Sequence, residues 1–170
     1  DVTNPVTGEA VPILPAGFVD ADNATGVVMS VPAHSPDDYV ALAEAKADAR
    51  ESPERFADYG LDPERVVGIE PEPILDVEGY GDVPARSAVE AADIESSDDP
   101  ALEEVTADLY NAEFHQGRLH ESYGGFANGL VEEVRDEFRR EGVAAGRFDT
   151  MQEFSEEVVC RCGGDVEVAK

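Results

Sequence analysis

The residues best placed to do chemistry lie at one junction, where an apolar run meets the start of a predicted helix. His34 follows the apolar run Val27–Val31, and Asp38 lies in the first turn of the helix. A strand that ends in titratable side chains beside a helix N-terminus is a common way to present a small polar ligand with binding groups. However, such an aspartate can also be only a helix-capping acid, and a lone histidine after a strand is more often structural. The residue types alone leave both interpretations open.

No standard catalytic signature accompanies this junction. The sequence contains no G-x-x-x-x-G-K-[ST], no G-x-G-x-x-G after a strand, no G-x-S-x-G and no H-E-x-x-H. Cys160 and Cys162 share one face of a predicted strand, but a zinc site needs about four ligands and the three histidines lie far away in sequence. We therefore interpret the cysteines as plain thiols, with half of a metal site completed elsewhere as the alternative, and predict no metal site.

Two elements must position the junction. The stretch "TGVVMSVP" is a continuous apolar run typical of a central strand that is buried on both faces. Ser35 is a predicted N-cap and Pro36 a predicted first helical residue, and we expect the helix to reach about Glu51. The junction residues would then lie between a buried strand and a helix N-terminus.

The remaining pattern predicts helices between strands that lie near both ends of the chain. Further helices are predicted from Pro53 to Gly60, over 84–92 and 100–116, and over 130–142, where Gly142 would end the last one. Further strands are predicted over 11–14, 66–69 and 73–77, and in a closing hairpin with its turn at Gly163-Gly164. This order favours an α+β fold over a doubly wound sheet.

Charge dominates the composition of this 170-residue chain. Its 39 Asp and Glu outnumber its 12 Lys and Arg, which gives a formal net charge of -27. The acids are spread over every predicted helix, and at about 1 M salt, where the Debye length is roughly 3 Å, their mutual repulsion would largely vanish. We therefore expect a halophilic, cytoplasmic protein. Its acidity does not exclude a nucleic-acid partner, although any such contact would depend on short-range geometry.

The junction resembles the editing domain of leucyl-tRNA synthetases, in its archaeal or haloarchaeal form. The family pattern Gly-Thr-Gly-x-Val-Met-x-Val-Pro-x-His, followed by an aspartate, is similar to "ATGVVMSVPAH" at 24–34 followed by Asp38. The segments "NPVTGEAVPILPAGFVD", "IEPEPILDVEGY", "AEFHQGRL" and "VVCRCGG" extend the resemblance along the chain. It implies a mixed or antiparallel, β-barrel-like domain with an inserted helical subdomain.

The resemblance also implies three segments and a function. Residues 1–51 would form the β core and active-site helix, 52–116 the archaeal-type inserted subdomain, and 117–170 a return helix and C-terminal hairpin. The domain would hydrolyse tRNA(Leu) carrying a wrong amino acid such as isoleucine, methionine or norvaline. Such editing is needed because one methylene is worth only about 1–3 kcal/mol in an apolar pocket. A free-standing trans-editing hydrolase and a non-catalytic tRNA-interaction module are the alternatives.

Two residues acquire catalytic roles through the resemblance. Asp38 matches the family aspartate that holds the α-amino group of the misacylated residue, and an ammonium does need a fixed carboxylate. His34 takes a supporting role, because in this family the attacking water is thought to be aligned by the terminal adenosine of the substrate and the main chain. The expected partners are the 3′ end of misacylated tRNA(Leu) and the rest of the synthetase, with neither membrane nor DNA.

Four further residues would bind substrate. Met29 and Val31 match pocket-lining positions, Thr25 would shape the turn before them, and Ser35 stands where bacterial members commonly carry an aspartate. The threonine-rich strand of the family and the ATP-binding motifs of the aminoacylation core are missing from these residues. We therefore expect no cofactor here, ATP and Mg²⁺ at the core of a parent enzyme, and weak or no hydrolysis by this chain alone.

Overall fold

The computed structural model describes residues 1–17, 19 and 26–149. They form two compact units, one within residues 16–135 and one that combines 1–15 with 136–149. The helices are α1 (Pro36–Glu51), α2 (Pro53–Asp58), α3 (Pro63–Val67), α4 (Pro84–Ala91), α5 (Leu102–Gln116) and α6 (Val131–Ala144), with a 3₁₀ helix at Glu121–Phe126. The strands are β1 (Val2–Thr3), β2 (Ala10–Val11), β3 (Leu75–Asp76) and β4 (Arg118–Leu119).

The strands form two small antiparallel sheets. Strand β1 pairs with β2, and β3 pairs with β4 so that Leu75 faces Leu119. The predicted mixture of helices with antiparallel strands is therefore confirmed, while the described residues contain no closed barrel. Within the same residues, no helix is long and apolar enough to cross a bilayer.

Helix α1 has the bounds that its sequence predicts. The Ser35 Oγ accepts a hydrogen bond from the backbone N–H of Asp38 at 3.3 Å, and Pro36 begins the helix where a missing N–H does no harm. The helix ends at Glu51 because Ser52 precedes Pro53, and a residue before proline disfavours helical backbone angles. The position of Asp38 is thus fixed by local sequence.

The core of the larger unit lies between α1, α4 and α5. One buried cluster contains Val40, Val89, Ile94 and Leu102, and another contains Ala85, Ala88 and Leu109. Tyr39 packs against both clusters. The alanines of α4 leave room for the fully buried Leu109 of α5, so these helices form the platform under the N-terminus of α1.

The predicted buried strand over Val27–Val31 is wrong. Val27, Val28 and Met29 are 59%, 63% and 80% exposed, and they belong to neither sheet. A strand buried on both faces needs neighbouring strands and a covering layer. Among the described residues, both ladders are made by other segments, so the apolar run lies outside the two sheets.

Other predicted elements differ where capping signals outweigh β propensity. Val66 and Val67 end α3 instead of forming the strand predicted over 66–69, because Asp62 caps the helix by accepting from the Glu64 N–H at 3.0 Å. The strands predicted over 11–14 and 73–77 are confirmed only in part, as β2 and β3.

Gly142 does not end α6, contrary to prediction. It is buried inside the helix, and a Cβ there would collide with the ring of Phe148. The glycine is therefore needed for a close contact and not for a helix cap. Thr25, the two cysteines and the predicted closing hairpin lie outside the described residues.

Candidate active site

The predicted site is a tight loop, residues 31–35, that enters α1. The Val31 carbonyl accepts hydrogen bonds from the N–H groups of His34 at 2.8 Å and Ser35 at 2.9 Å. In return, the Val31 N–H donates to Oδ2 of Asp38 at 2.7 Å. Both backbone polar groups of Val31 are therefore satisfied, and the loop closes on the first turn of the helix.

The hydrogen bond to Val31 fixes the Asp38 side chain but uses only one of its two carboxylate oxygens. Its Oδ2 binds the Val31 N–H, while Oδ1 makes no hydrogen bond to any residue that the structure describes. The side chain is half-buried at the positive end of the α1 dipole, which stabilises a carboxylate. Asp38 can therefore offer one oriented, negatively charged oxygen to a cationic group.

His34 is buried and has both ring nitrogens occupied. Nε2 lies 2.9 Å from the N–H of Ile74, which donates to it, and Nδ1 lies 2.7 Å from Oε1 of Glu113. Because Nε2 accepts, the hydrogen-bond pattern assigns the proton to Nδ1, which donates to the Glu113 carboxylate. A proton on Nε2 would face the Ile74 N–H directly, so this imidazole is a neutral bridge between three chain segments.

The loop is also anchored to α4. The Ala33 carbonyl accepts from the Ala85 N–H at 3.0 Å, next to Pro84 at the start of that helix. Val83, the N-cap of α4, supplies no side-chain hydrogen bond, so Ala33 satisfies a donor that the helix itself leaves unpaired. This hydrogen bond therefore fixes the site loop to the N-terminus of α4.

The structure brings only some of the predicted site residues together. Val31, His34, Ser35 and Asp38 share the loop and the first turn of α1. Ser35 is buried as the predicted N-cap, and Val31 is half-buried. Met29 is 80% exposed and is not among the residues that line the cleft described below.

Sequence reasoning missed the partners of His34. Glu113 is a buried acid on α5, only 8% exposed, and it lies one helical turn after Leu109 on the face that packs into the core. An acid at that position of an apolar stripe was the available signal, because charged side chains are almost never buried without a partner. The Ile74 N–H carried no sequence signal.

A separate open cleft of about 590 Å³ lies elsewhere on the larger unit. It is lined by residues 76–78, 80–82, 115, 116, 118 and 130 and contains no predicted site residue. Its cationic groups already have partners, since His115 contacts Glu132 at 2.7 Å and Arg118 donates to the Asn128 carbonyl at 2.8 Å. Among the described residues no group of three or more His, Cys, Asp and Glu side chains could hold a metal ion.

The chain is similar to known proteins over nearly its whole length. Residues 1–50 match the family model described as "Leucyl-tRNA synthetase, editing domain". The chain is 45% identical over 168 residues to a leucine–tRNA ligase of Methanopyrus kandleri. The aligned region covers 98% of this chain and 17% of the relative. The chain thus spans about a sixth of that relative.

Solved structures agree with this match. The crystal structure of GlLeuRS-CP1 superposes with a TM-score of 0.66 at 25% identity, covering 79% of this chain and 50% of that one. An editing domain of the P. falciparum cytosolic leucyl-tRNA synthetase has the same fold, with a TM-score of 0.66 at 19% identity, covering 78% of this chain and 40% of that one. The chain belongs to the leucyl-tRNA synthetase family and corresponds to a segment of its editing domain.

Proposed function

We propose that this chain forms part of the site at which a leucine–tRNA ligase hydrolyses misacylated tRNA(Leu). The observation that carries the proposal is the geometry of Asp38. One of its oxygens is held by the Val31 N–H at 2.7 Å, and the other makes no hydrogen bond to the described residues. A carboxylate that only capped the helix would not need to be tied to the loop before it.

The free oxygen of Asp38 suits the α-ammonium group of an aminoacyl ester. An ammonium presents three donors, and a charge-assisted hydrogen bond to a fixed carboxylate is about twice as strong as a neutral one. Water would add to the ester carbonyl, the bond to the ribose oxygen would break, and the free amino acid and the tRNA hydroxyl would leave. His34 would support the loop and not remove the proton, because both of its nitrogens are already hydrogen-bonded.

Apolar residues before the loop would provide the discrimination between amino acids. Met29 is available for contact because 80% of it is exposed, and Val31 is held beside Asp38. A wall of such side chains could accept isoleucine, methionine or norvaline and leave leucine badly placed. Because a methylene is worth about 1–3 kcal/mol, this second selection would add to that of the synthetic site. Thr25 and Ser35 would shape the same region.

The other segments of the chain would have their places in the same editing domain of a parent synthetase. Val28 and Met29 are exposed apolar residues, which suits strand pairing with other parts of a parent synthetase in a barrel-like editing domain. Residues 52–116 would form the inserted subdomain between the segments 1–51 and 117–170. The parent would bind ATP and Mg²⁺ at its aminoacylation core, and its tRNA(Leu) would reach this segment with its 3′ end.

The experiment compares two neighbouring aspartates in the full-length parent enzyme. Asp38→Ala should abolish hydrolysis of isoleucyl-tRNA(Leu) while leucylation survives, because the ammonium loses its anchor. Asp37→Ala is the matched control, since Asp37 is an exposed acid in the same helical turn. Equal editing by the two variants would contradict the proposal and favour a tRNA-interaction module without hydrolytic activity.

A further inference from the structure

We propose that Glu113 is a positioning residue of this site, which acts through His34 on the loop that holds Asp38. The proposal rests on the function proposed above. Glu113 lies 79 positions after His34 in the sequence, and it belongs to the helix that packs under α1 and α4. It would not touch the substrate, and its effect would be on where the Asp38 carboxylate lies.

The first step of the argument is the burial of Glu113. It is 8% exposed on the face of α5 that also carries the fully buried Leu109. A buried carboxylate is unfavourable unless it is hydrogen-bonded, and within the described residues its side chain has one partner, Nδ1 of His34 at 2.7 Å. The contact with His34 therefore accounts for an acid that the core would otherwise not accommodate.

The second step is the orientation of the imidazole. The Ile74 N–H supplies a donor to Nε2, and the Glu113 carboxylate supplies an acceptor to Nδ1–H. These two contacts come from different elements, the segment before β3 and the last turn of α5. Together they allow one tautomer and one ring orientation, which a single contact would not do.

The third step connects the imidazole to Asp38. His34 lies between Ala33, whose carbonyl holds the Ala85 N–H, and Ser35, whose hydroxyl accepts from the Asp38 N–H. Its own N–H donates to the Val31 carbonyl, while the Val31 N–H donates to Asp38. A rotation of the ring would move the loop that fixes Oδ2 of Asp38. Displacements of about 1 Å at a reacting group can lower a rate by about 100-fold.

The test uses the full-length parent enzyme and two substrates. One is isoleucyl-tRNA(Leu), and the other is tRNA(Leu) esterified with the α-hydroxy analogue of isoleucine, which has no ammonium for Asp38 to bind. We compare Glu113→Ala, Glu113→Gln and the control Asp108→Ala, which removes an exposed acid from the same helix. Leucylation by each variant reports whether the parent enzyme is folded.

The expected result is a selective loss. Glu113→Ala should lower kcat/KM for the aminoacyl ester at least about ten-fold and that for the α-hydroxyacyl ester less than about two-fold. Glu113→Gln should restore most of the loss, because its amide oxygen still accepts from Nδ1–H, and Asp108→Ala should match the wild type. Equal losses on both esters would overturn the proposal, since general damage to the domain does not depend on the ammonium.

The same assay separates this proposal from the one on which it rests. If Asp38→Ala edits normally, the proposed function fails and the role of Glu113 fails with it. If Asp38→Ala loses editing while Glu113→Ala behaves like the wild type, only the positioning role is overturned.

Discussion

The Asp38 carboxylate accepts a hydrogen bond from the backbone N–H of Val31, 2.7 Å away and seven residues earlier in the chain. This contact joins the first turn of α1 to the end of the apolar segment before it. It orients one carboxylate oxygen, Oδ2. The other oxygen, Oδ1, makes no hydrogen bond to any residue that the structure describes. The polar end of the proposed site and the apolar residue Val31 are therefore held at a fixed separation.

His34 and Glu113 should be coupled in stability. Either single alanine substitution leaves a buried polar group without its partner, which costs about 1–3 kcal/mol. The double substitution His34→Ala with Glu113→Ala removes both groups, so it should cost less than the sum of the singles by about 0.5–3 kcal/mol. Urea unfolding of the four chains measures this, and strict additivity would contradict the buried contact at 2.7 Å.

Gly117 should not tolerate a side chain. Its φ is -65°, so a substitution brings no backbone strain, but a Cβ would collide with the Glu113 carbonyl and approach the Leu75 side chain. Gly117→Ala should lower the free energy of unfolding by about 1–3 kcal/mol. Gly125→Ala is the control, because nothing lies within 4 Å of its Cβ position. Similar unfolding curves for the two variants would contradict this close packing of Gly117 against Glu113 and Leu75.

Leu109 should contribute strongly to the platform under the site. It is fully buried between α4 and α5, and Leu109→Ala should cost about 2–5 kcal/mol because it leaves a cavity. Its neighbour Tyr110 is 46% exposed, so Tyr110→Ala should cost clearly less. Thermal unfolding of both variants gives the comparison, and an equal loss from each would place the core elsewhere.

Tyr123 should make stability fall in alkaline solution. Its burial, and secondly the negative charge of Glu72, raise the pKa of the phenol above its ordinary value of about 10. A raised folded-state pKa stabilises the fold below the unfolded value and loses that contribution as pH rises through the folded value. Unfolding free energies measured from pH 9 to 12 should therefore decline less steeply for Tyr123→Phe than for the wild type. Tyr59→Phe, an exposed tyrosine, controls for the loss of a phenol, and identical slopes for Tyr123→Phe and the wild type would refute the effect.

Local rules predicted the helices of this chain well. Ser35-Pro36 and Pro84 mark starts that the structure confirms, because N-caps and prolines act through adjacent atoms. The same rules hold at Asp62-Pro63, where a cap and a proline make Val66 and Val67 helical and override the β propensity on which the predicted strand rested. N-caps and prolines therefore predict a helix boundary correctly where neighbouring residues alone determine it.

Long-range contacts could not be predicted in this way. The burial expected for Val28 and Met29 depends on neighbouring strands, which the described residues do not supply. Glu113 meets His34 only because α5 returns beneath the loop, and the Ile74 N–H that completes the bridge belongs to the backbone. The roles that the family resemblance implies for Asp38 and Val31 stay predictions, although the two residues are hydrogen-bonded to each other.

The most direct test of the central claim is the single-turnover rate of isoleucyl-tRNA(Leu) hydrolysis by full-length enzyme carrying Asp38→Asn. The asparagine oxygen can still accept from the Val31 N–H, so the loop should keep its shape while the negative charge is lost. The account predicts a loss of about 100-fold or more with leucylation unchanged, because a charged group has lost its partner. Hydrolysis at the wild-type rate would contradict it, since the ammonium would then be bound by something other than the Asp38 carboxylate.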